Sequence, residues 1–140
     1  MMSPMRGLAV LLLTLTLSYG CGRYPMLVVV LPPTVLPPGP EPDGYGIVHA
    51  APRYRDGRRV GVLVGGILPG SLAELMALHP GDVVVALAGI ECEDLISCRQ
   101  GALEMERALA LHQPFDLVVE RDGVRVILHY RYHRFRPLAM

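Results

Sequence analysis

Residues Leu68 to Cys92 read LPGSLAELMALHPGDVVVALAGIEC, and this stretch decides the fold. The turn Pro69-Gly70-Ser71 precedes a short amphipathic segment, and Ser71 followed by Glu74 is a capping-box pattern that predicts a helix start. Pro80-Gly81-Asp82 then predicts the end of that helix. The apolar run Val83–Leu87 has the length of a buried strand. The stretch therefore predicts a turn, a short helix, a second turn and a strand, in that order.

Further strands and a longer helix are predicted on both sides of this stretch. Before it, two strands are expected at 46–50 and 59–68. After it, Asp94 is a plausible cap for a helix whose apolar residues recur every three or four positions, and the helix ends at Gln113-Pro114. Two strands at 115–120 and 124–132 then surround an Asp-Gly hairpin turn. The predicted fold class is α+β, with five to six short strands in a partly open barrel and two helices.

Taken together, these motifs resemble those of bacterial periplasmic PDZ domains. The matching residues are Gly70-Ser71, Pro80-Gly81-Asp82, Gly89 in the turn after the buried strand, and Arg121-Asp122-Gly123 in the last hairpin. The variant that the sequence resembles most is the PDZ domain of the C component of type II secretion systems. The resemblance implies a PDZ-like domain over 45–136. The chain departs from the family pattern in Leu72, where proline or another small residue is usual, in Ala77, where glycine is usual, and in Ala88, where asparagine is usual.

The resemblance implies that a partner binds by strand addition, in which an extended peptide pairs with an exposed sheet edge. In PDZ domains that edge follows a hydrophobic-Gly-hydrophobic loop whose N–H groups can hold a terminal carboxylate. The sequence analysis assigns the loop to Val60-Gly61-Val62, the pairing strand to Val62–Gly65 and the opposite wall to the helix at 98–109. The expected peptide-binding residues are Arg59, Val60, Gly61, Val62, Leu63, Val64, Leu103 and Arg107.

The first 21 residues have the pattern of a signal peptide. A start carrying Arg6 precedes the apolar run Leu8–Leu17, which is shorter than the roughly 20 residues of a membrane-spanning helix. Gly20-Cys21 resembles a lipoprotein cleavage box, in which Cys21 is lipidated; ordinary cleavage and an uncleaved anchor are the alternatives. The expected location is the cell envelope, facing the periplasm, with a lipid in one of the two membranes.

Residues 22–44 are expected to form a Pro-rich tether, because seven prolines exclude a helix and favour an extended course. The apolar run Met26–Leu31 within it has three interpretations. It could lie on the membrane surface, pack against the domain or add an edge strand.

Cys92 and Cys98 form an even pair once Cys21 is assigned to lipid. They could form a disulfide between a strand end and the following helix, or remain two semi-buried thiols.

Several functional classes lack support in the sequence. The formal net charge is zero, which argues against nucleic acid as a partner. The chain has neither an H-E-x-x-H nor a G-x-S-x-G motif, and Ser71 is better explained as a helix cap than as a nucleophile. His129 and His133 have Arg131 between them, which disfavours a metal. No catalytic residue, metal, cofactor or small-molecule substrate is expected.

The sequence thus predicts a lipid-anchored, non-catalytic module that binds a protein or peptide, as an accessory of a secretion machine. The alternative is a regulatory or substrate-presenting subunit of a separately encoded envelope protease. A third interpretation is a structural module with a blocked groove.

Overall fold

The computed structural model describes residues 24–39 and 41–133. They form one seven-stranded sheet, two α-helices and a short 3₁₀ helix, Pro42–Tyr45, which lies between the first and second strands. The strands are β1 (Met26–Leu31), β2 (Ile47–Arg55), β3 (Arg58–Ile67), β4 (Val83–Leu87), β5 (Ile90–Glu91), β6 (Phe115–Arg121) and β7 (Val124–Tyr132). The helices are α1 (Leu72–Leu75) and α2 (Leu95–Leu111). The predicted α+β class is confirmed, with seven strands in place of five or six.

The sheet is open and has the strand order β1-β7-β6-β4-β3-β2, with β5 paired to β4 alone. All neighbouring strands are antiparallel except β1, which runs parallel to β7. Among the described strands, β1 and β2 are consequently the two ends of the sheet. Each has hydrogen-bonded partners on one side only.

The core lies between one face of the sheet and the buried sides of the two helices. In β7, the side chains of Val126, Leu128 and Tyr130 are buried, as the alternation of the sequence predicts. Phe115 of β6 stacks on the Tyr130 ring with the ring centres 4.7 Å apart. On α2, the buried residues recur at helical spacing: Cys98, Gly101, Met105, Ala108 and Leu109. The last three of them belong to this core.

The segment predicted as a tether contributes a strand to the sheet. β1 pairs with β7 from Met26↔Ile127 to Leu31↔Tyr132, so the sheet begins well before Tyr45, the predicted domain start. The prolines flank this strand and do not interrupt it: the Pro25 carbonyl accepts from Ile127 N–H at 2.8 Å. Of the three interpretations of Met26–Leu31, the edge strand is the one in the structure.

Two of the three departures from the family pattern fall at left-handed backbone positions. Ala77, which follows α1, has φ 62°, and Ala88, in the turn after β4, has φ 49°. Glycine and asparagine adopt this region more readily than alanine does. Both turns therefore form in spite of the local backbone strain at Ala77 and Ala88.

Candidate functional site

β3, which contains the predicted binding edge, has a strand on each side. Val62 pairs with Pro52 of β2 and with Val84 of β4, and Leu63 pairs with Ala51 and Val83. Val64 is buried, and it pairs with Ala50 on one side while its N–H donates to the Asp82 carbonyl at 2.8 Å. The prediction that Val62–Gly65 is an open edge is wrong, because β2 covers it through a hairpin that turns at Asp56-Gly57.

Gly61 has a packing role in place of the predicted loop role. A Cβ added to it would lie 2.3 Å from the Val84 carbonyl oxygen and 2.9 Å from a Val83 methyl carbon. Only glycine therefore allows β3 and β4 to approach this closely here. Its φ is not in the left-handed region, so no turn depends on it.

Arg59 and Val60 line a different feature, a cavity of about 640 Å³. Its apolar part includes Val85 and Ile127, and Cys92 is also at its surface. The Arg59 Nε atom is buried without a hydrogen-bond partner among the described residues. The predicted peptide-binding residues of β3 thus divide between the sheet interior and this cavity, and they form no groove with α2.

The free edge on the predicted side of the sheet belongs to β2. The loop before it, Tyr45-Gly46-Ile47, has the hydrophobic-Gly-hydrophobic pattern that the resemblance requires. Gly46 has φ 86°, and a Cβ there would lie 2.2 Å from the Ser71 Cβ. The loop therefore requires glycine for two reasons, the left-handed backbone conformation and the close approach of Ser71. The Gly46 carbonyl also accepts from Leu68 N–H at 2.8 Å, which ties the loop to the end of β3.

Tyr45 connects this loop to helix α2. Its ring is 5% exposed, and its hydroxyl donates a short hydrogen bond to the Glu106 carboxylate. Burial, and then the Glu106 hydrogen bond, raise the pKa of Tyr45 far above its usual value, so the hydroxyl keeps its proton. The loop at the start of β2 and the fourth turn of α2 therefore form one end of a candidate site. The open edge of β2 extends from this end.

Leu103 and Arg107 are the two residues of α2 predicted to line the groove. In the part of the chain that the structure describes, neither is hydrogen-bonded to Tyr45. Leu103 is exposed on α2. Arg107 lines a cavity of about 570 Å³ with Phe115, Asp116 and His129. The residue of α2 that reaches the loop is Glu106, which the sequence analysis did not single out. The signal that could have found the site is the Tyr45-Gly46-Ile47 pattern, which directly precedes a strand.

Two of the motifs that carry the resemblance meet in a buried ion pair. Asp82, 1% exposed, accepts from Arg121 Nε at 2.9 Å and from a terminal guanidinium nitrogen at 2.8 Å. The same carboxylate accepts from His79 N–H at 2.8 Å, which is the local backbone bond expected for this turn. Arg121 also donates to the Ala77 carbonyl. The Pro-Gly-Asp and Arg-Asp-Gly motifs are therefore joined structurally, and three hydrogen bonds hold the Asp82 carboxylate in this pair.

The cysteines predicted as a disulfide or as two thiols are free and buried in this structure. Burial, and then the neighbouring Cys98 thiol, raise the pKa of Cys92. Cys21 and the rest of the predicted signal peptide lie outside the described residues. The sequence analysis also considers His129 and His133, as metal ligands. His133 is the last residue that the structure describes, and the Nδ1 atom of His129 lies 2.5 Å from an Asp116 carboxylate oxygen.

Residues 24–39 and 41–133 contain neither a metal-binding cluster nor a helix suited to span a membrane. No group of three or more His, Cys, Asp or Glu side chains in this part of the chain is placed to hold a metal ion. No helix formed by these residues is both long and apolar enough to cross a membrane.

Comparison with known proteins gives similarities at the level of structure. No family model matches the chain, and no curated protein sequence matches it. The chain is similar to the PDZ domain of EpsC from Vibrio cholerae, residues 204–305, with 24% identity and a TM-score of 0.44, over 62% of this chain and 79% of that one. It is also similar to the HtrA-type protease AlgW S227A with a decapeptide, with 28% identity and a TM-score of 0.41, over 57% of this chain and 23% of that one. The first of these is a PDZ domain, the kind of domain that the sequence resembles.

Proposed function

We propose that this chain is a non-catalytic interaction module that binds an extended segment of a partner protein by strand addition to β2. The observation that carries the proposal is the open edge of β2, which begins at the Tyr45–Ile47 loop and at the Tyr45–Glu106 contact with α2. Unpaired N–H and C=O groups on a strand edge are a template for another strand. The binding residues proposed from the structure are therefore those of β2 and its loop, in place of those of β3.

The β2 edge also has the side chains of a recognition surface. Val48 is 66% exposed next to Ile47, which packs against the core, and Tyr54 is exposed further along the strand. Pairing of β2 with β3 is irregular on both sides of His49. Such bulges change the direction of side chains and are frequent next to functional sites.

The proposed location is the cell envelope, with an N-terminal lipid on Cys21 and a role as an accessory of a secretion machine. The sequence features that support it are the apolar run before Gly20-Cys21 and the resemblance to the C component of type II secretion systems. The test of the anchor is metabolic labelling with a fatty acid. Label retained by the wild-type chain and lost by Cys21→Ala supports it, and label retained by the variant contradicts it.

The strand-addition proposal is tested with a peptide selected from a displayed random library against the full chain. The selected peptide is expected to slow the exchange of β2 backbone amides with solvent. Val48→Asp should weaken its binding about tenfold or more, because a charge replaces apolar contact at the edge.

The matched control is Val30→Asp, since Val30 is 55% exposed on β1, the strand at the other end of the sheet. This variant should bind the peptide as the wild type does. Loss of binding in Val30→Asp with binding retained in Val48→Asp would assign the partner to β1 and contradict the proposal. Thermal melts of both variants show whether either change has acted through unfolding.

A further inference from the structure

Two backbone N–H groups just before β2 already have acceptors within the chain. The Gly46 N–H donates to the Asp43 carbonyl at 2.9 Å, and the Gly44 N–H donates to the Glu41 carbonyl at 3.2 Å. Both bonds belong to the 3₁₀ helix Pro42–Tyr45 and its left-handed end at Gly46. A carboxylate that entered this loop would have to compete with these internal acceptors for N–H groups.

The charged groups around the loop are acidic. Glu41 and Asp43 lie within or next to the 3₁₀ helix, which has no basic residue in its last turn. Glu106 faces the loop from α2, where its carboxylate accepts the Tyr45 hydroxyl hydrogen bond. Arg107, the next residue of α2, lines the separate cavity with Phe115 and His129. A second carboxylate beside Glu106 would therefore meet repulsion without a positively charged partner from the loop.

An internal extended segment has none of these difficulties. It needs only the backbone groups of the β2 edge, and its chain can continue past Tyr45 without leaving a terminal charge there. We infer that β2 accepts an internal segment of a partner protein, with an uncharged or basic residue beside Glu106, and that the Tyr45–Ile47 loop discriminates against a free C-terminal carboxylate. This inference rests on the proposed strand addition at β2 and names the class of partner for it.

The experiment compares two displays of one random peptide library against the full chain. In one display the peptide ends in a free C-terminus, and in the other it is embedded between two folded modules. We expect enrichment from the embedded display. The enriched peptide is then synthesised twice, ending directly after the segment that contacts the loop, once as the free acid and once as the amide. The amide should bind about tenfold more tightly than the acid at low salt, and added salt should narrow the difference.

Glu106→Gln tests the source of the discrimination. The glutamine keeps an acceptor for the Tyr45 hydroxyl and removes the charge, so the difference between acid and amide should shrink to about threefold or less. The matched control is Glu104→Gln, an exposed carboxylate two residues earlier on the same helix, which should leave the difference unchanged. A difference that survives in Glu106→Gln, in a variant that melts as the wild type does, overturns the role given to Glu106.

The possible failures are distinguishable. If the acid binds as tightly as the amide or more tightly, the preference for an internal segment is overturned while strand addition stands. If neither display gives an enriched peptide, strand addition at β2 is overturned, and this inference with it.

Discussion

At the scale of single residues, the Asp82–Arg121 pair explains why two distant motifs occur together. Asp82 follows the end of α1 and Arg121 ends β6, 39 positions later, yet they form a two-point ion pair below the surface. The hydrogen bond that the guanidinium donates to Asp82, more than any other effect, raises the pKa of Arg121. A buried carboxylate is tolerated only when it is paired and fully hydrogen-bonded.

Asp82→Ala should reduce the free energy of unfolding by about 3–5 kcal/mol, because it leaves the Arg121 guanidinium partly buried without its partner and frees the His79 N–H. Urea unfolding of the full chain measures this. The control is Arg55→Ala, which removes an exposed ion pair with Glu120 and should cost less than about 1 kcal/mol. Equal costs for the two variants would contradict the structural role of Asp82.

Residue roles that depend on local chemistry were predictable from the sequence, and those that depend on distant contacts were not. The bond between the Asp82 carboxylate and a nearby backbone amide follows from the turn itself. The Arg121 contact and the approach of the Val84 carbonyl to Gly61 depend on which strands become neighbours. The periodicity of a single segment does not show which strands become neighbours, so neither contact can be predicted from it. For this reason the sequence analysis assigns Gly61 to a loop.

At the scale of elements, the start of α2 shows how a local signal fixes a boundary. Asp94 accepts from Ser97 N–H at 2.7 Å, and the Ser97 hydroxyl accepts from Asp94 N–H at 3.1 Å, which completes a capping box. The backbone hydrogen bond from Ser97 is the largest of the effects that lower the pKa of Asp94. Glu106 of the candidate site lies on α2, so the cap that fixes the start of this helix also affects the geometry of the site.

Because the folded-state pKa of Asp94 is depressed, its capping contribution is present above the unfolded value and is lost as the pH falls through the folded value. Asp94→Ala should therefore lower the melting temperature at neutral pH, and the difference from wild type should shrink as the pH falls below 3.8, the ordinary pKa of an Asp side chain. Glu93→Ala, a neighbouring carboxylate without a described capping bond, should show no such convergence. A difference for Asp94→Ala that is constant across this range would contradict the charge-dependent cap.

The error in the predicted site traces to one element boundary. A first strand was predicted at 46–50, whereas β2 runs from Ile47 to Arg55. Pro52 lies inside it, and proline is a signal against a strand except at a sheet edge, where its missing N–H is tolerated. Once β2 is read at full length it covers β3, and the open edge moves from β3 to β2. Pro52, which makes the full strand hard to predict, is therefore also evidence that β2 lies at a sheet edge.

At the scale of the whole molecule, β1 changes the relation between the domain and its N-terminal segment. Pairing of β1 with β7 requires residues about 100 positions apart to align in parallel, which no local pattern predicts. Its carboxyl end is held as well, since the Leu31 carbonyl accepts from His133 N–H at 2.8 Å. Only four residues separate Cys21 from Met26 in the sequence, so a lipid on Cys21 would place the sheet close to the membrane surface.

Two adjacent residues of β1, one buried and one exposed, test whether this strand contributes to the stability of the fold. Leu31 is fully buried in the core, whereas its neighbour Val30 is exposed on the outer side of the strand. Leu31→Ala should reduce the free energy of unfolding by about 2–5 kcal/mol, since it removes buried methyl groups and leaves a cavity. Val30→Ala should cost less than about 1 kcal/mol. Urea unfolding of the full chain separates the two, and an equally small effect of both would show that Met26–Leu31 contributes nothing to the fold and behaves as the tether that its prolines suggest.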